Sequence, residues 1–381
     1  MKIGILTLPF NTNYGGLLQA YALQTTLQRM GHEVFVLDQS PYVHISFLKK
    51  ILVYTKRSIL KYIMKRDVRI FQEEHYNQTY SIISQFTQMF IKKYIHRFEV
   101  NDLTKLQEKD FDMIVVGSDQ IWRPSYYRGN ITNAYLAFAK QWKIKRIAYA
   151  PSFGTDDWEY SFWQTKRCKY LISKFDVVSV REESGIKLCR DYFGIEVQHA
   201  LDPTMLLEKN DYEALVKTAG IANSDGELLV YVLDMDDSKQ NMVDNISKQE
   251  GIKPFFVNAK IKDEKALIED RIQKPVELWL RGFMDAKFVI TDSFHACVFS
   301  IIFNKPFIVV GNKKRGLTRF DSLLRMFKLE SRLVLSLDEA LEKVHENIHW
   351  EEINNICHKR KNDSKVILEK AVTSSLNSYV K

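Results

Sequence analysis

Two successive α/β domains, each built on a parallel sheet and together facing a cleft, are the architecture this chain predicts. Three observations carry that reading. Residues 2–37 run strand, glycine loop, helix, strand, which is a βαβ unit. Further on, short β-rich apolar runs alternate with helix-patterned stretches, and each run ends in a polar or glycine-containing loop. The chain has 381 residues, ample for two hydrophobic cores. The expected division is 1–200 for an N-terminal domain, 201–345 for a second domain and 346–381 for C-terminal helices that could pack back on the first.

The elements follow in order. Residues 2–6, KIGIL, form the first strand, 9–16, PFNTNYGG, a loop, and 17–30 a helix stopped by Gly31. Residues 33–37 are the next strand. Residues 46–70 alternate apolar and basic side chains, and 73–99 give no clear pattern. Strands are expected at 111–116, 146–150 and 177–180, with a helical pattern from the last of these to Phe193. Leu201-Asp202-Pro203-Thr204 breaks the pattern and marks the domain junction. Beyond it, strands are expected at 228–233, 254–257, 288–290 and 306–310. Helices are expected at 238–249, 275–284, from Phe294 onward, at 337–349 and at 351–379. Loops at strand ends should gather along one edge of each sheet, where ligands of open α/β sheets bind.

Composition excludes several classes. Hydrophobic content of 45% and charged content of 27% are ordinary for a globular protein. The net charge is +8, but eight Lys and Arg against one Asp in residues 46–70 account for +7 of it. The remainder is nearly neutral, so nucleic acid is not an expected partner. The basic segment reads either as an amphipathic helix on an anionic membrane surface or as a helix packed on its domain with a solvated basic face. Cys168, Cys189, Cys297 and Cys357 show no CxxC spacing and fit a reducing compartment. The first apolar run is too short for a secretory signal, and no apolar stretch has transmembrane length. A cytoplasmic protein, peripheral on the inner membrane face, is the expectation.

Several residues could carry chemistry. His295 falls in the first turn of a helix that follows a buried strand, where free N–H groups favour anions and an imidazole can exchange a proton. Ser293 and Phe294 precede it in that turn. Asn13, Tyr14, Gly15 and Gly16 stand before a helix and serve either ligand approach or a tight turn. Asp119, Gln120 and Trp122 combine a carboxylate, an amide and an indole. They suit a sugar, with Asp119 as a base towards a hydroxyl, or else a helix cap and a core indole. Ser152 lies in the next strand-end loop. Arg181 follows a strand and could fork onto a carboxylate or phosphate, or pair with Glu182 or Glu183. Lys313, Arg315 and Arg319 make a cationic loop suited to a polyanion, or a solvated one. No metal, serine-hydrolase or nucleotide-loop signature is present, and no cofactor is expected.

Six motifs in order resemble the polysaccharide pyruvyl transferase family, in its bacterial capsule and exopolysaccharide branch. They are NYGGLLQAYALQ at 13–24, VVGSDQIW at 115–122, AYAPSFG at 148–154, SVREESG at 179–185, LDPTMLL at 201–207 and TDSFHACVFSIIFNKPF at 291–307. The resemblance implies two Rossmann-like domains in a glycosyltransferase-B-like fold. It implies ketal-pyruvyl transfer from phosphoenolpyruvate, a co-substrate, to two hydroxyls of a sugar in a lipid-linked polysaccharide precursor. It further implies that His295 is catalytic and that Arg181 and Arg315 hold the donor. From their own chemistry, Asp119 is expected to join His295 in catalysis, Ser293, Phe294, Lys313 and Arg319 to join the donor site, and Asn13, Tyr14, Gly15, Gly16, Gln120, Trp122 and Ser152 to face the acceptor. Many members carry arginine two residues before the histidine. Ser293 stands there in this chain, which shifts donor anchoring towards Lys313, Arg315 or Arg319. A nucleotide-sugar glycosyltransferase of the same architecture is the alternative.

Overall fold

The computed structural model describes residues 1–40, 42, 45–261, 263–311 and 317–373. The first half carries β1 (Lys2–Leu6), α1 (Tyr14–Arg29), β2 (Glu33–Asp38), α2 (Phe47–Tyr62), α3 (Gln72–Ile83) and α4 (Gln85–Tyr94). It continues with β3 (Arg97–Glu99), β4 (Met113–Val116), β5 (Lys145–Ala148), α5 (Phe162–Ile172), β6 (Val177–Val180), α6 (Glu183–Leu188) and β7 (Gln198–His199). The second half carries α7 (Lys209–Ala219), β8 (Leu228–Tyr231), α8 (Asp237–Glu250), β9 (Pro254–Phe256), α9 (Ile268–Arg271) and α10 (Val276–Asp285). After these come β10 (Phe288–Thr291), α11 (Phe294–Ile302), β11 (Phe307–Val310), α12 (Thr318–Met326), β12 (Leu333–Val334), α13 (Leu337–Val344) and α14 (Trp350–Thr373).

Two sheets result. The first has the order β3-β2-β1-β4-β5-β6-β7 and the second β12-β11-β10-β8-β9. Neighbouring strands pair in parallel throughout, as β1 does with β2 and β4, and β10 with β8 and β11. Central strands β4, β8, β10 and β11 are buried at every position, because crossover helices cover both faces. Each sheet reverses its winding once, between β1 and β4 in the first and between β8 and β10 in the second. Such switch points leave a crevice at the strands' carboxyl ends.

One apolar core runs through both halves. It joins Leu18 and Leu23 of α1 to Trp279 and Phe283 of α10 and Phe299 of α11. Separate clusters fill the outer face of each sheet. The C-terminal helix α14 returns to the first half: Leu201 N–H donates to Ser364 Oγ at 3.0 Å, and Lys145 of β5 reaches the Val372 carbonyl.

The structure shifts several sequence expectations. Helix α1 starts at Tyr14, so both glycines belong to its first turn rather than to a loop, because Asn13 caps it by accepting from Gly15 N–H at 3.1 Å. Strands β3, β7 and β12 and helices α5, α7, α9 and α12 have no counterpart in the expected series. Residues 47–62 of the basic segment form α2, which packs on α3 through Arg57 and Glu73 and leaves both basic side chains, Lys49 and Lys56, and apolar ones, Leu48 and Leu52, exposed.

Candidate active site

The C-terminal ends of β6 and β10 converge on one carboxylate. Asp202 sits just past β7, where its Oδ1 accepts from Thr204 N–H and Oγ and caps a short turn. That leaves Oδ2 facing inward. Arg181, directly after β6, donates to it from one Nη at 2.8 Å. The Nε2 of His295, in the first turn of α11, stands 3.6 Å from the same oxygen, beyond hydrogen-bond length, and has no hydrogen-bond partner among the described residues. Imidazole and guanidinium thus share one anchor.

Around this point the charges are dense. Asp119 and Glu182 lie 3.8 Å from other nitrogens of Arg181. The ring of Phe294 lies 4.4 Å from the Arg181 guanidinium and 5.8 Å from that of Arg319, so it is flanked by two cations. Burial alone would raise the Asp202 carboxyl, but His295 and Arg181 beside it hold it well below the usual range. Burial acts against the Arg181 charge, while Asp202, Glu182 and Asp119 outweigh it and keep the guanidinium firmly protonated. For Arg319, burial and the like charge of Arg181 prevail and push it down to about 10. Arg181 is thus compensated by carboxylates, whereas Arg319 sits under repulsion from it.

A second feature adjoins the cluster at the β1/β4 switch point. A cavity of about 230 Å³ is lined by Thr7, Phe10 and Asn11 after β1, by Asn13 and Gly16 at the start of α1, and by Asp119 and Gln120 after β4. Tyr76, Tyr126 and Arg128 close its outer wall. Asp119 therefore belongs to both the cavity and the ionic cluster. Its φ of 58° is strained for a side-chain-bearing residue, and the Ser152 N–H holds its carbonyl at 2.8 Å. Gly15, between the cavity-lining Asn13 and Gly16, does not itself line the cavity but packs against His295. A Cβ built there would lie 2.0 Å from His295 Nδ1, so only glycine lets the ring pack on α1.

Of the expected site residues, the structure gathers His295, Arg181, Asp119, Phe294 and Arg319 into the cluster, and Asn13, Gly16 and Gln120 onto the cavity. Ser293 stands at the N-cap position of α11 but makes no capping bond, and its N–H donates to Thr291 Oγ. Three expected acceptor contacts are corrected. Trp122 is 0% exposed, stacked on Tyr135 with its indole N–H on the Ala134 carbonyl, because the loop after β4 turns the indole into the core. Tyr14 is also 0% exposed; its ring packs on Trp279 and Tyr231 and its hydroxyl donates to the Lys274 carbonyl at 2.9 Å. Ser152 is buried and donates to Glu182 at 2.6 Å, which positions that carboxylate. Lys313 and Arg315 lie outside the described residues.

Asp202 is the residue that the sequence did not single out; Glu182 was named only as a partner for Arg181, and the two do lie 3.8 Å apart. Asp-Pro-Thr was visible as a chain breaker. The same three residues are also a capping signature, with an Asp side chain fixed by the Thr two positions on, and that signal could have marked a carboxylate held in place.

The chain resembles in fold the UDP-GlcNAc 2-epimerase of Neisseria meningitidis solved with UDP-GlcNAc, at 12% identity and TM-score 0.52, covering 98% of this chain and 100% of that one. It likewise resembles the UDP-GlcNAc 2-epimerase of Methanocaldococcus jannaschii, at 11% identity and TM-score 0.50, covering 97% and 100%. At such identity the likeness is one of fold alone, the glycosyltransferase-B-like pairing of two parallel-sheet α/β domains. A sequence search of curated proteins returned no match. The model of one family, described as polysaccharide pyruvyl transferase, matches residues 13–314, a span from the cap of α1 past β11 that takes in Arg181, Asp202 and His295. The chain belongs to the polysaccharide pyruvyl transferase family, and it is a transferase that acts in pyruvyl transfer onto polysaccharide.

Proposed function

We propose that the protein transfers the enolpyruvyl unit of phosphoenolpyruvate to two hydroxyls of one sugar, as a cyclic ketal, with release of phosphate. The acceptor is a lipid-linked precursor of a bacterial polysaccharide, met at the inner face of the cytoplasmic membrane. The observation that carries this reading is the shared anchor: His295 and Arg181 both face Asp202 Oδ2, beside Arg319 and next to a cavity that contains Asp119.

Phosphoenolpyruvate carries a carboxylate and a phosphate, so it calls for more than one fixed cation, and Arg181 and Arg319 meet that need across the Phe294 ring. His295 delivers a proton to the enol methylene, which becomes the methyl group. The adjacent carbon then takes the first sugar oxygen. The bond to phosphate breaks and the electron pair leaves with it. The second sugar oxygen closes the ketal on the same carbon. Of the two hydroxyl protons, one replaces that given by His295 and the other departs on phosphate, so the sequence balances without a redox partner. Asp119, common to cavity and cluster, is placed to take a hydroxyl proton. The cavity lies below the ~300–1,000 Å³ of ordinary small-molecule sites, which suits a single sugar ring against Tyr76 and Tyr126.

The test is phosphate release from phosphoenolpyruvate in the presence of an acceptor glycan. His295→Gln should lose about 10²–10⁴-fold in kcat while remaining folded. Full activity in that variant removes the histidine from the reaction. Stabilisation of the wild-type protein by UDP- or GDP-sugars, and not by phosphoenolpyruvate, would instead identify a nucleotide-sugar glycosyltransferase.

A further inference from the structure

Helix α2 leaves an apolar stripe in solvent. Its inward face mixes partly buried Val53 and Leu60 with ionic contacts: Arg57 grips Glu73 at 2.6 and 2.8 Å, Lys50 meets Glu74 at 3.3 Å, and Tyr54 donates to Glu74 at 3.2 Å. Its outward face is apolar, with Phe47 76%, Leu48 75% and Leu52 73% exposed, and Ile51, Ile59 and Tyr62 completing the stripe. No residue of the helix is buried. A helix that only shields a core turns its faces the other way. Ion pairs to α3 also keep it from rolling over to hide the stripe.

The edges of the stripe indicate what covers it. At 3.6 residues per turn, Lys49 and Lys56 fall along one edge and Lys61 along the other, and all three are exposed. Lys65 and Arg66 continue the charge just beyond. A second copy of the chain would bring these cations against their own kind. An anionic bilayer satisfies both the stripe and its edges. Among the described residues no helix is long and apolar enough to cross a membrane, so the contact is one of lying on the surface.

We propose that α2 lies in the plane of an anionic lipid surface, apolar stripe down, and that α3 holds the acceptor cavity at a fixed height above it. Glu73 and Glu74 of α3 pin α2, and Tyr76, less than one turn further, lines the cavity. In its account of the acceptor this inference rests on the reading above. The attachment itself does not.

The experiment is vesicle co-sedimentation of the full chain, without donor or acceptor. Wild-type protein should partition at least about tenfold more onto phosphatidylglycerol-containing vesicles than onto phosphatidylcholine alone. Raising salt from about 0.1 M to 1 M shortens the screening length from ~10 to ~3 Å and should weaken that preference. Leu48→Glu with Leu52→Glu should lose binding by about tenfold or more, and Lys49→Glu with Lys56→Glu should lose the preference for anionic lipid. These side chains are solvent-exposed, so circular dichroism and turnover of a free oligosaccharide should stay unchanged. Vesicle binding that is absent, or equal in the wild type and the Leu48/Leu52 variant, overturns the proposal. So does self-association without lipid that the same variant abolishes, which would assign the stripe to a second copy. Lipid binding with no pyruvyl transfer would refute the catalytic reading alone, and transfer without lipid binding would refute only this one.

Discussion

At the scale of single residues, the site depends on one missing side chain and one shared carboxylate. A methyl group at position 15 would overlap the His295 ring, whereas at Gly16 it would meet nothing nearer than Asn13 at 3.7 Å. Gly15→Ala should therefore lower kcat by about 10²–10⁴-fold, the usual worth of a positioned acid-base group, while Gly16→Ala changes it little; steady-state phosphate release with each variant checks the pair. Asp202 permits a second test. Its folded-state carboxyl lies well below the ordinary 3.8, so its stabilisation is complete above about pH 4 and drains away as the pH falls further. Asp202→Asn should cost about 1.5–3 kcal/mol at neutral pH, because Arg181 loses its shortest charged hydrogen bond while Asp119 and Glu182 stay 3.8 Å away, and should flatten the acid limb of the stability curve. Urea midpoints measured between about pH 3 and 7 would show both. Much of this was legible in the sequence. His295, Arg181 and Asp119 stood out because strand-end positions expose chemistry. Trp122 and Tyr14 did not resolve, since an indole or phenol in a loop reads the same whether it turns inward or outward, and that choice is made by Tyr135 and Trp279, distant in sequence.

Among the elements, legibility followed length and environment. The buried central strands and α11 lie within a residue or two of where apolar runs and capping residues put them. Edge strands β3, β7 and β12 are two or three residues long, too short for any alternation to register. The start of α1 was hidden because glycine is a poor helix former. A cap that accepts the Gly15 N–H outweighs that propensity. Asn13→Ala should accordingly cost about 1 kcal/mol in global stability by denaturant titration. It should also lower kcat, because the first turn of α1 forms the floor beneath His295. An unchanged kcat alongside the stability loss would mean that Trp279 packing, not the cap, fixes that turn. Helix α2 was read correctly as amphipathic and basic, but the direction of its faces is set by Glu73 and Glu74 of α3 and cannot be inferred from α2 alone.

For the whole molecule, the two sheets are distinct in topology yet share one apolar core, and this decides how the protein unfolds and how its cleft works. Tyr14 of the first half packs on Trp279 and Tyr231 of the second, Trp279 packs on Phe299 of α11, and α11 begins with the catalytic candidate. Independent domains would melt separately. A continuous core predicts a single calorimetric transition with equal calorimetric and van't Hoff enthalpies. Trp279→Ala should lower that transition as a unit by about 3–5 kcal/mol, the usual loss for a large buried aromatic. The same seam bears on catalysis. His295 is 6% exposed and its ring packs on Gly15 of α1, in the seam between the halves. Phosphoenolpyruvate bound between Arg181 and Arg319 would then hold the halves together, adding about 2.7 kcal/mol of stability at a hundredfold excess over Kd and so raising the melting temperature. Arg181→Gln should abolish that rise, since one of the two guanidiniums would be gone. Two resolved transitions, only one of them responsive to phosphoenolpyruvate, would show instead that the halves fold apart and that the donor is held by one of them alone.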